Sequence, residues 1–261
     1  MAFIDNKSIK QQDRRYKVDL WLTDLNTVEV GILKQTQHRA KSRQFSKDMD
    51  VIGQIKEDGQ RKGIVAYREG LWKSKDKMQR RLVIKLFSEK MNWRGTMDMM
   101  LGRSLQLTHG AGGFPVVSYA INIAGHEQII QLERTARQWP LMRERFSFFI
   151  LTDEGPKLYK LRRKLISFGA DYVLYDKHNK KIGLLDGKVI TLGGAWKVRV
   201  DAHHASKELD TILQLFCAML KYNDDARRHI LQLTRNVAKA RIIPKLAAQE
   251  TDLYMNPRRT R

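Results

Sequence analysis

The first pattern along the chain is an alternation of apolar and polar residues. Residues 18–23 and 28–32 alternate in this way, and a period of two is typical of a strand with one buried face. Glycines then separate short strand-like pieces at 51–55 and 63–67. Residues 14–70 are therefore predicted to form mostly strands and turns.

Two later segments also have strand character. Residues 116–123 fit a strand, and residues 146–152 are apolar enough to form a buried one. Residues 125–134, which lie between them, fit either a strand or a helix.

A basic amphipathic helix is predicted over residues 73–94, within a helical insert at about 73–101. Met78, Leu82 and Leu86 recur every four residues, which is the spacing of one helix face. A solvated helix face and a phosphate-binding surface both explain the basic residues between them. The cations assigned to a phosphate-binding surface are Lys73, Lys75, Lys77, Arg80, Arg81 and Lys85.

Two segments in the second half of the chain resemble each other at an offset of 24 residues. They cover 164–176 and 188–201, and each reads as a strand, a glycine turn and a strand that opens with an aromatic residue. A turn at 176–181 and a strand at 182–185 lie between them. This order predicts an antiparallel meander with an internal repeat.

Residues 209–220 are apolar on nearly every side. A helix of this kind belongs in a protein core or in a membrane. At a rise of about 1.5 Å per residue, the segment is too short to span a bilayer. It is therefore predicted to be a helix enclosed by protein, and strands wrapped around it would provide that enclosure.

The sequence after Tyr222 predicts a basic helical tail over 223–261, which follows a barrel domain over 14–222. An acidic or amide side chain at 223–225 can cap a helix, and Ile230 and Leu233 lie on one stripe of it. Basic tails bind nucleic acid, acidic membranes or partner proteins. The cations assigned to nucleic-acid binding in this tail are Arg227, Arg228 and Arg235.

Composition narrows the class of protein. The chain has 261 residues, 49 Lys plus Arg against 28 Asp plus Glu, and a formal net charge of +21. Such an excess predicts a polyanionic partner, either nucleic acid or an acidic lipid surface. Hydrophobic residues make up 42% of the chain, enough for a folded core. With one cysteine, no long apolar run and no leader-like N-terminus, we expect a soluble cytoplasmic protein without disulfides or transmembrane segments.

The sequence contains no recognisable catalytic motif. Residues 109–115 hold three glycines but lack the spacing of nucleotide-binding loops. His203 and His204, followed by Glu208, lack the spacing of a metal site, and Cys217 falls in the predicted buried helix, where a thiol is inert. We therefore expect a protein that is not an enzyme and that holds no metal or cofactor.

The repeated segment resembles the tubby C-terminal-like superfamily, particularly its LURP-one-related and phospholipid-scramblase branches. The resemblance covers about 155–222, and the insert and the tail depart from the family's usual compact form. It implies an α+β, mainly β fold: an antiparallel closed β-barrel around a central apolar C-terminal helix, completed by strands from 14–70 and 116–152. The residues that match the repeated motif are Lys164, Ser167, Gly169, Tyr172 and Asp176, and then Lys188, Thr191, Gly193, Trp196 and Asp201.

The resemblance also implies binding rather than catalysis. Tubby proteins hold phosphoinositide headgroups through Lys and Arg on the barrel surface, and scramblases act at membranes. A solvated basic strand edge, which discourages edge-to-edge pairing, explains the same kind of residues. The comparable cluster in this chain is Lys157, Lys160, Arg162, Arg163, Lys164, Lys177, Lys180 and Lys181.

Three hypotheses about function follow, in this order. The first is a non-catalytic protein that binds anionic phosphate groups, above all acidic phospholipid headgroups at a membrane surface. The second is a nucleic-acid-binding or ribonucleoprotein-associated protein that uses its basic insert and tail. The third is a structural subunit whose basic extensions bind partner proteins in a larger assembly.

Overall fold

The computed structural model describes residues 12–20, 44–46, 48–136, 143–165, 170–188 and 194–239. The strands are β1 (Arg14–Leu20), β2 (Met49–Glu57), β3 (Gln60–Arg68), β4 (Val83–Ser88), β5 (Trp93–Met99), β6 (Ser118–Ile123), β7 (Ile130–Arg134), β8 (Arg145–Thr152), β9 (Gly155–Arg163), β10 (Tyr172–Tyr175), β11 (Lys181–Lys188) and β12 (Ala195–Val200). The helices are α1 (Glu69–Trp72), α2 (Leu101–Gly110), α3 (Lys207–Leu220) and α4 (Asn223–Ala238).

The strands form one closed antiparallel barrel in which neighbours in the chain are neighbours in the sheet. Strand β1 closes the barrel, because it pairs with both β12 and β2. Val18 of β1 lies opposite Trp196 on one side and Ile55 on the other. The prediction of a mainly β protein with a closed antiparallel barrel is confirmed.

The predicted basic helix over 73–94 is wrong. Residues 83–88 and 93–99 are strands β4 and β5, so the predicted helical insert supplies two strands of the barrel. Leu86 of β4 belongs to the main core, while Phe87 on the opposite face packs against Phe45, with 5.1 Å between the ring centroids. A strand buried on both faces reads as a continuous apolar run, which periodicity does not separate from a buried helix.

Helix α3 is buried at every residue from Leu209 to Met219. It begins after Ser206, whose hydroxyl oxygen accepts a hydrogen bond from the backbone N–H of Leu209 at 3.1 Å, a regular N-terminal cap. The helix contacts β1, β4, β5 and β6. Its Phe216 also packs edge-on against Phe146 of β8 and Tyr172 of β10, at 5.0 and 5.1 Å between ring centroids.

Helix α4 packs against α2 and α3. Its buried face includes Ala226, Ile230 and Leu233, which belong to the same hydrophobic cluster as α3. The predicted helical tail is therefore described over its first part, where it is docked on the rest of the protein. Residues 240–261 lie outside the described residues. Within the described part of the chain, no helix has the length and apolar character that crossing a membrane requires.

The predicted repeat is described in part. Strands β10, β11 and β12 form an antiparallel meander, as the sequence predicts. Residues 166–169 and 189–193 lie outside the described residues. Four of the motif residues, Ser167, Gly169, Thr191 and Gly193, fall in these two segments.

Candidate functional site

The predicted anion-binding residues separate into two groups along β9. Lys157 and Lys160 lie toward the hairpin that joins β8 to β9, whereas Arg163 and Lys164 lie at the far end of the strand. At about 3.3 Å per residue, the seven steps from 157 to 164 extend over about 23 Å. The cluster predicted from the sequence is therefore not one site.

The turn between β10 and β11 joins the first group. Asp176 shapes this turn, because its Oδ1 accepts hydrogen bonds from the backbone N–H groups of His178 and Lys180 at 2.9 and 2.8 Å. Asn179 connects the turn to β9, since its Oδ1 accepts hydrogen bonds from Arg162 Nη2 at 2.7 Å and from Lys160 Nζ at 3.3 Å. The exposed side chains of Lys177 and Lys180 thus belong to a turn that is held against β9, and the exposed Lys181 begins β11 directly after it.

In the second group, Lys164 is held in an ion pair. Its Nζ lies 3.4 Å from Oδ2 of Asp171, whose other oxygen accepts a hydrogen bond from the backbone N–H of Gly187 at 2.9 Å. Lys164 and Asp171 therefore connect the end of β9 to β11. Arg163 beside them is exposed.

The outer face of the β8–β9 hairpin is apolar. Phe149 lies directly opposite Leu158, and Leu151 lies opposite Pro156. The three large side chains Phe149, Leu158 and Leu151 are 44%, 47% and 37% exposed. The prediction of a buried strand at 146–152 is wrong for this face, because Phe146, Phe148 and Ile150 alone point into the core. Apolar residues on both faces hide this difference in the sequence.

The hairpin extends past the neighbouring wall of the barrel. Among the described residues, β7 pairs with β8 at Glu133–Ser147 and at Arg134–Phe146, so the last part of β8 pairs with β9 alone. A surface cleft of about 210 Å³ opens beside this part of the hairpin. Phe149, Leu158, Lys160 and Lys177 are among the residues that line it.

A larger cavity, of about 380 Å³, opens at the end of the barrel where α3 begins. One wall is the β8–β9 hairpin, the second is the turn at 176–178, and the third is formed by residues 203–208. His178, His203 and His204 all line this cavity. The sequence singled out the last two as adjacent histidines, but nothing in it places His178 beside them.

The cations predicted from the region 73–94 are dispersed by the barrel. Lys85 is buried, and its Nζ donates hydrogen bonds to the backbone oxygen and to Oε1 of Gln44. Arg81 lies 3.3 Å from Oδ1 of the buried Asp98. The guanidinium of Arg80 lies 4.7 Å from the centroid of the Trp72 ring.

The remaining cations of this set do not converge either. Lys73 pairs with Glu69 in α1, and Lys75 and Lys77 are exposed in the turns that follow. On α4, Arg227 and Arg228 form ion pairs with the aspartates three residues before them, and Arg235 is exposed.

Another group of cations was not found by the sequence reasoning. Arg15 lies opposite Arg199, and Lys17 lies opposite both Lys197 and Lys56, on three adjacent strands. Two of the five form ion pairs with aspartates, at 2.6 and 3.1 Å. Like charges opposite each other destabilise a sheet, and only the strand register brings these residues together.

A buried ionic network around Glu144 lies at the end of the barrel opposite to the 380 Å³ cavity. Glu144 accepts hydrogen bonds from Arg134 Nε and Tyr172 Oη, both at 2.6 Å, and from Asn223 Nδ2 at 3.1 Å. Burial raises the pKa of the Glu144 carboxyl, but the Tyr172 hydrogen bond and the Arg134 charge together lower it by more, so its pKa lies below the ordinary value. Because these bonds join β7, β10 and α4, we interpret the network as structural.

Comparison of the chain with models of known protein families, with curated proteins and with solved structures found no match.

Proposed function

We propose that the protein is a non-catalytic, peripheral membrane-binding protein that attaches to acidic phospholipid surfaces through the β8–β9 hairpin. One observation carries the proposal: the hairpin exposes Phe149, Leu151, Pro156 and Leu158 on one continuous face. Exposed apolar side chains of this size on neighbouring positions mark an interaction surface.

The charges beside this face favour a lipid partner. Lys160 follows Leu158 on the same face of β9, opposite Ser147, and Lys177 lines the same cleft as Phe149 and Leu158. Apolar side chains that enter the boundary between headgroups and acyl chains, with lysines at the level of the headgroups, are typical of proteins that lie on a membrane. Each such lysine contributes roughly 1 kcal/mol of attraction to an anionic membrane surface.

We also infer that α3 is the axial helix of the barrel, as the resemblance to the tubby-like superfamily implies. This inference is supported by the burial of α3 from Leu209 to Met219 and by its contacts with strands from different sides of the barrel. The resemblance and the exposed hairpin then point in the same direction, toward binding at a lipid surface.

Nucleic-acid binding is the second candidate, and the cations of β2, β1 and β12 favour it. The repulsion between the directly opposed cations would be relieved by a polyanion that lies across these strands. In the described part of the chain, these three strands carry no exposed large apolar side chain, so this surface would contact a phosphate backbone rather than bases.

Sedimentation with lipid vesicles tests the proposal. We expect the full chain to bind vesicles of phosphatidylcholine and phosphatidylglycerol. The double variant Phe149→Asp/Leu158→Asp should bind them at least about tenfold more weakly, since each apolar side chain that enters the interface contributes about 1.5–3 kcal/mol. Phe114→Asp is the matched control, because Phe114 is equally exposed, at 47%, but lies outside the hairpin.

Two outcomes would contradict membrane attachment through the hairpin. One is unchanged vesicle binding by the double variant, and the other is an equal loss with Phe114→Asp. A parallel titration with labelled single-stranded RNA addresses the second candidate. Tight, steeply salt-dependent RNA binding that is lost in Lys17→Gln/Lys197→Gln, without vesicle binding, would favour nucleic acid.

A further inference from the structure

The 380 Å³ cavity at the start of α3 has the size of a small-molecule site. Its walls come from three separate parts of the chain, which the closed barrel holds in fixed positions. Ile150 and Tyr159 give it an apolar floor, and the Tyr159 ring packs edge-on against His204, with 6.4 Å between the centroids.

Side chains of both charges line the cavity. The basic groups are Lys157, Lys177, His178, His203 and His204, and the acidic groups are Glu154, Asp176 and Glu208. Lys157 and Glu154 form an ion pair at 3.0 Å, and Asp176 is engaged by its own turn. Among the described residues, no ion pair joins Lys177 or Glu208 to another side chain of the protein.

We propose that this cavity binds a phosphate ester that also carries an amino group, as ethanolamine or serine phosphates do. The phosphate would lie near Lys177 and the histidines, whose ring N–H groups donate to phosphate oxygens. The ammonium group would lie near Glu208. A ligand with a phosphate alone would leave the Glu208 carboxylate without a cationic partner, and a ligand with an amine alone would place its charge near that of Lys177.

The position of the cavity suits a ligand that is part of a lipid. Pro156 and Leu158 line the cavity and also belong to the exposed apolar face of the hairpin. A lipid headgroup could therefore enter while the hairpin rests in the membrane interface. This lipid-borne form of the ligand rests on the proposed membrane attachment, whereas a soluble phosphate ester would fit the same chemistry without it.

A metal ion is a poorer occupant. Within the described residues, no group of three His, Cys, Asp or Glu side chains is arranged to hold one. Although three histidines and three carboxylates line the cavity, they do not converge on a point. Their separation suits an extended ligand that contacts several of them in turn.

The first experiment measures soluble ligands with the full chain, by calorimetry and by imidazole NMR signals. We expect O-phosphoethanolamine to bind at least about tenfold more tightly than inorganic phosphate, because a further charge-assisted contact contributes about 1.5–3 kcal/mol. Glu208→Gln should abolish this preference while phosphate still binds. Lys177→Gln should weaken the binding of both ligands.

Glu89→Gln and Lys90→Gln are the matched controls, since both residues are exposed in the turn between β4 and β5 and do not line the cavity. Equal affinity for O-phosphoethanolamine and inorganic phosphate would overturn the proposal. So would a preference that survives Glu208→Gln, or the same loss in Glu89→Gln.

A second experiment identifies the source of the ligand. Vesicles with a fixed content of phosphatidylglycerol are compared with and without phosphatidylethanolamine. Tighter binding to phosphatidylethanolamine that is lost in Glu208→Gln supports a lipid headgroup, whereas binding of O-phosphoethanolamine alone supports a soluble ester. If the hairpin variants leave vesicle binding unchanged while O-phosphoethanolamine still binds, the membrane proposal fails and the cavity assignment stands.

Discussion

Lys85 is a basic side chain that the fold buries on the outer face of β4. The Lys85 side chain points outward from β4 and is nevertheless buried. Its ammonium group donates two hydrogen bonds to Gln44, at 3.1 and 2.9 Å. Burial, with a further contribution from the charge of Arg68, lowers the pKa of Lys85 to about 8. A lysine in the unfolded chain has a pKa of about 10.4. The folded protein therefore releases this proton at a lower pH than the unfolded chain does.

This difference predicts a pH-dependent stability. Between about pH 8 and pH 10 the unfolded state binds more protons than the folded state, so the free energy of unfolding rises with pH. We expect the difference in unfolding free energy between the wild type and Lys85→Met to change by about 2–3 kcal/mol from pH 7 to pH 10. Urea denaturation at several pH values measures it.

The exposed Lys90 supplies the control for this measurement. Lys90→Met should show the same pH dependence as the wild type. If Lys85→Met also kept the wild-type pH dependence, the ammonium group of Lys85 would not be buried in solution.

At the scale of the elements, strand β5 and helix α3 lie in close contact at Gly95. A Cβ atom at Gly95 would lie 2.8 Å from Cγ2 of Thr211 and 3.1 Å from the backbone oxygen of Asn122. The first distance is shorter than a carbon–carbon contact allows. Gly95 is therefore required for α3 to lie against this part of the wall.

We expect Gly95→Ala to lower the free energy of unfolding by about 1–3 kcal/mol, because the added methyl group must displace the helix or the strand. Gly110→Ala, at the end of α2, should have little effect, since nothing lies within 4 Å of the added Cβ there. The urea midpoints of the two variants make the comparison. Equal midpoints would contradict a close contact between α3 and β5.

Individual strands show which parts of the fold the sequence can predict. Strand β1 alternates in sequence, and β10 to β12 are separated by turn residues, so local patterns are sufficient for them. The continuous apolar run of β4 predicts a helix instead, because both faces of this strand are buried. The burial of its outer face depends on packing against Phe45, which is distant in sequence. The exposed face of β8 and the opposed cations Lys17 and Lys197 depend on register, which no local pattern contains.

For the whole molecule, the question is whether the barrel and the terminal helix unfold together. Ile230 and Leu233 of α4 are completely buried in the main core, and Asn223 donates a hydrogen bond to Glu144 at the base of β8. Helix α4 is therefore attached to the rest of the protein both at its first residue and in its third turn. The two parts should behave as one cooperative unit.

We expect Ile230→Ala to lower the free energy of unfolding by about 2–5 kcal/mol. Far-UV circular dichroism, which reports the helices, and tryptophan fluorescence, which includes Trp196 of the barrel, should shift to the same new midpoint. Leu231→Ala should shift it much less, because Leu231 is only partly buried. A loss of helix signal without a fluorescence change would mean that α4 unfolds separately.

The pairing of β1 with β12 has a consequence for folding during synthesis on the ribosome. Strand β1 is synthesised long before β12, which closes the barrel beside it, and before the buried helix α3, which contacts β1, β4, β5 and β6. Until then the nascent chain carries open sheet edges and an apolar inner surface, which are prone to aggregate. Closure of the barrel must therefore wait until β12 has been synthesised, and pairing between strands so distant in sequence makes folding slow. We therefore expect the nearly complete but still open sheet to be a substrate for chaperones that bind exposed apolar surface.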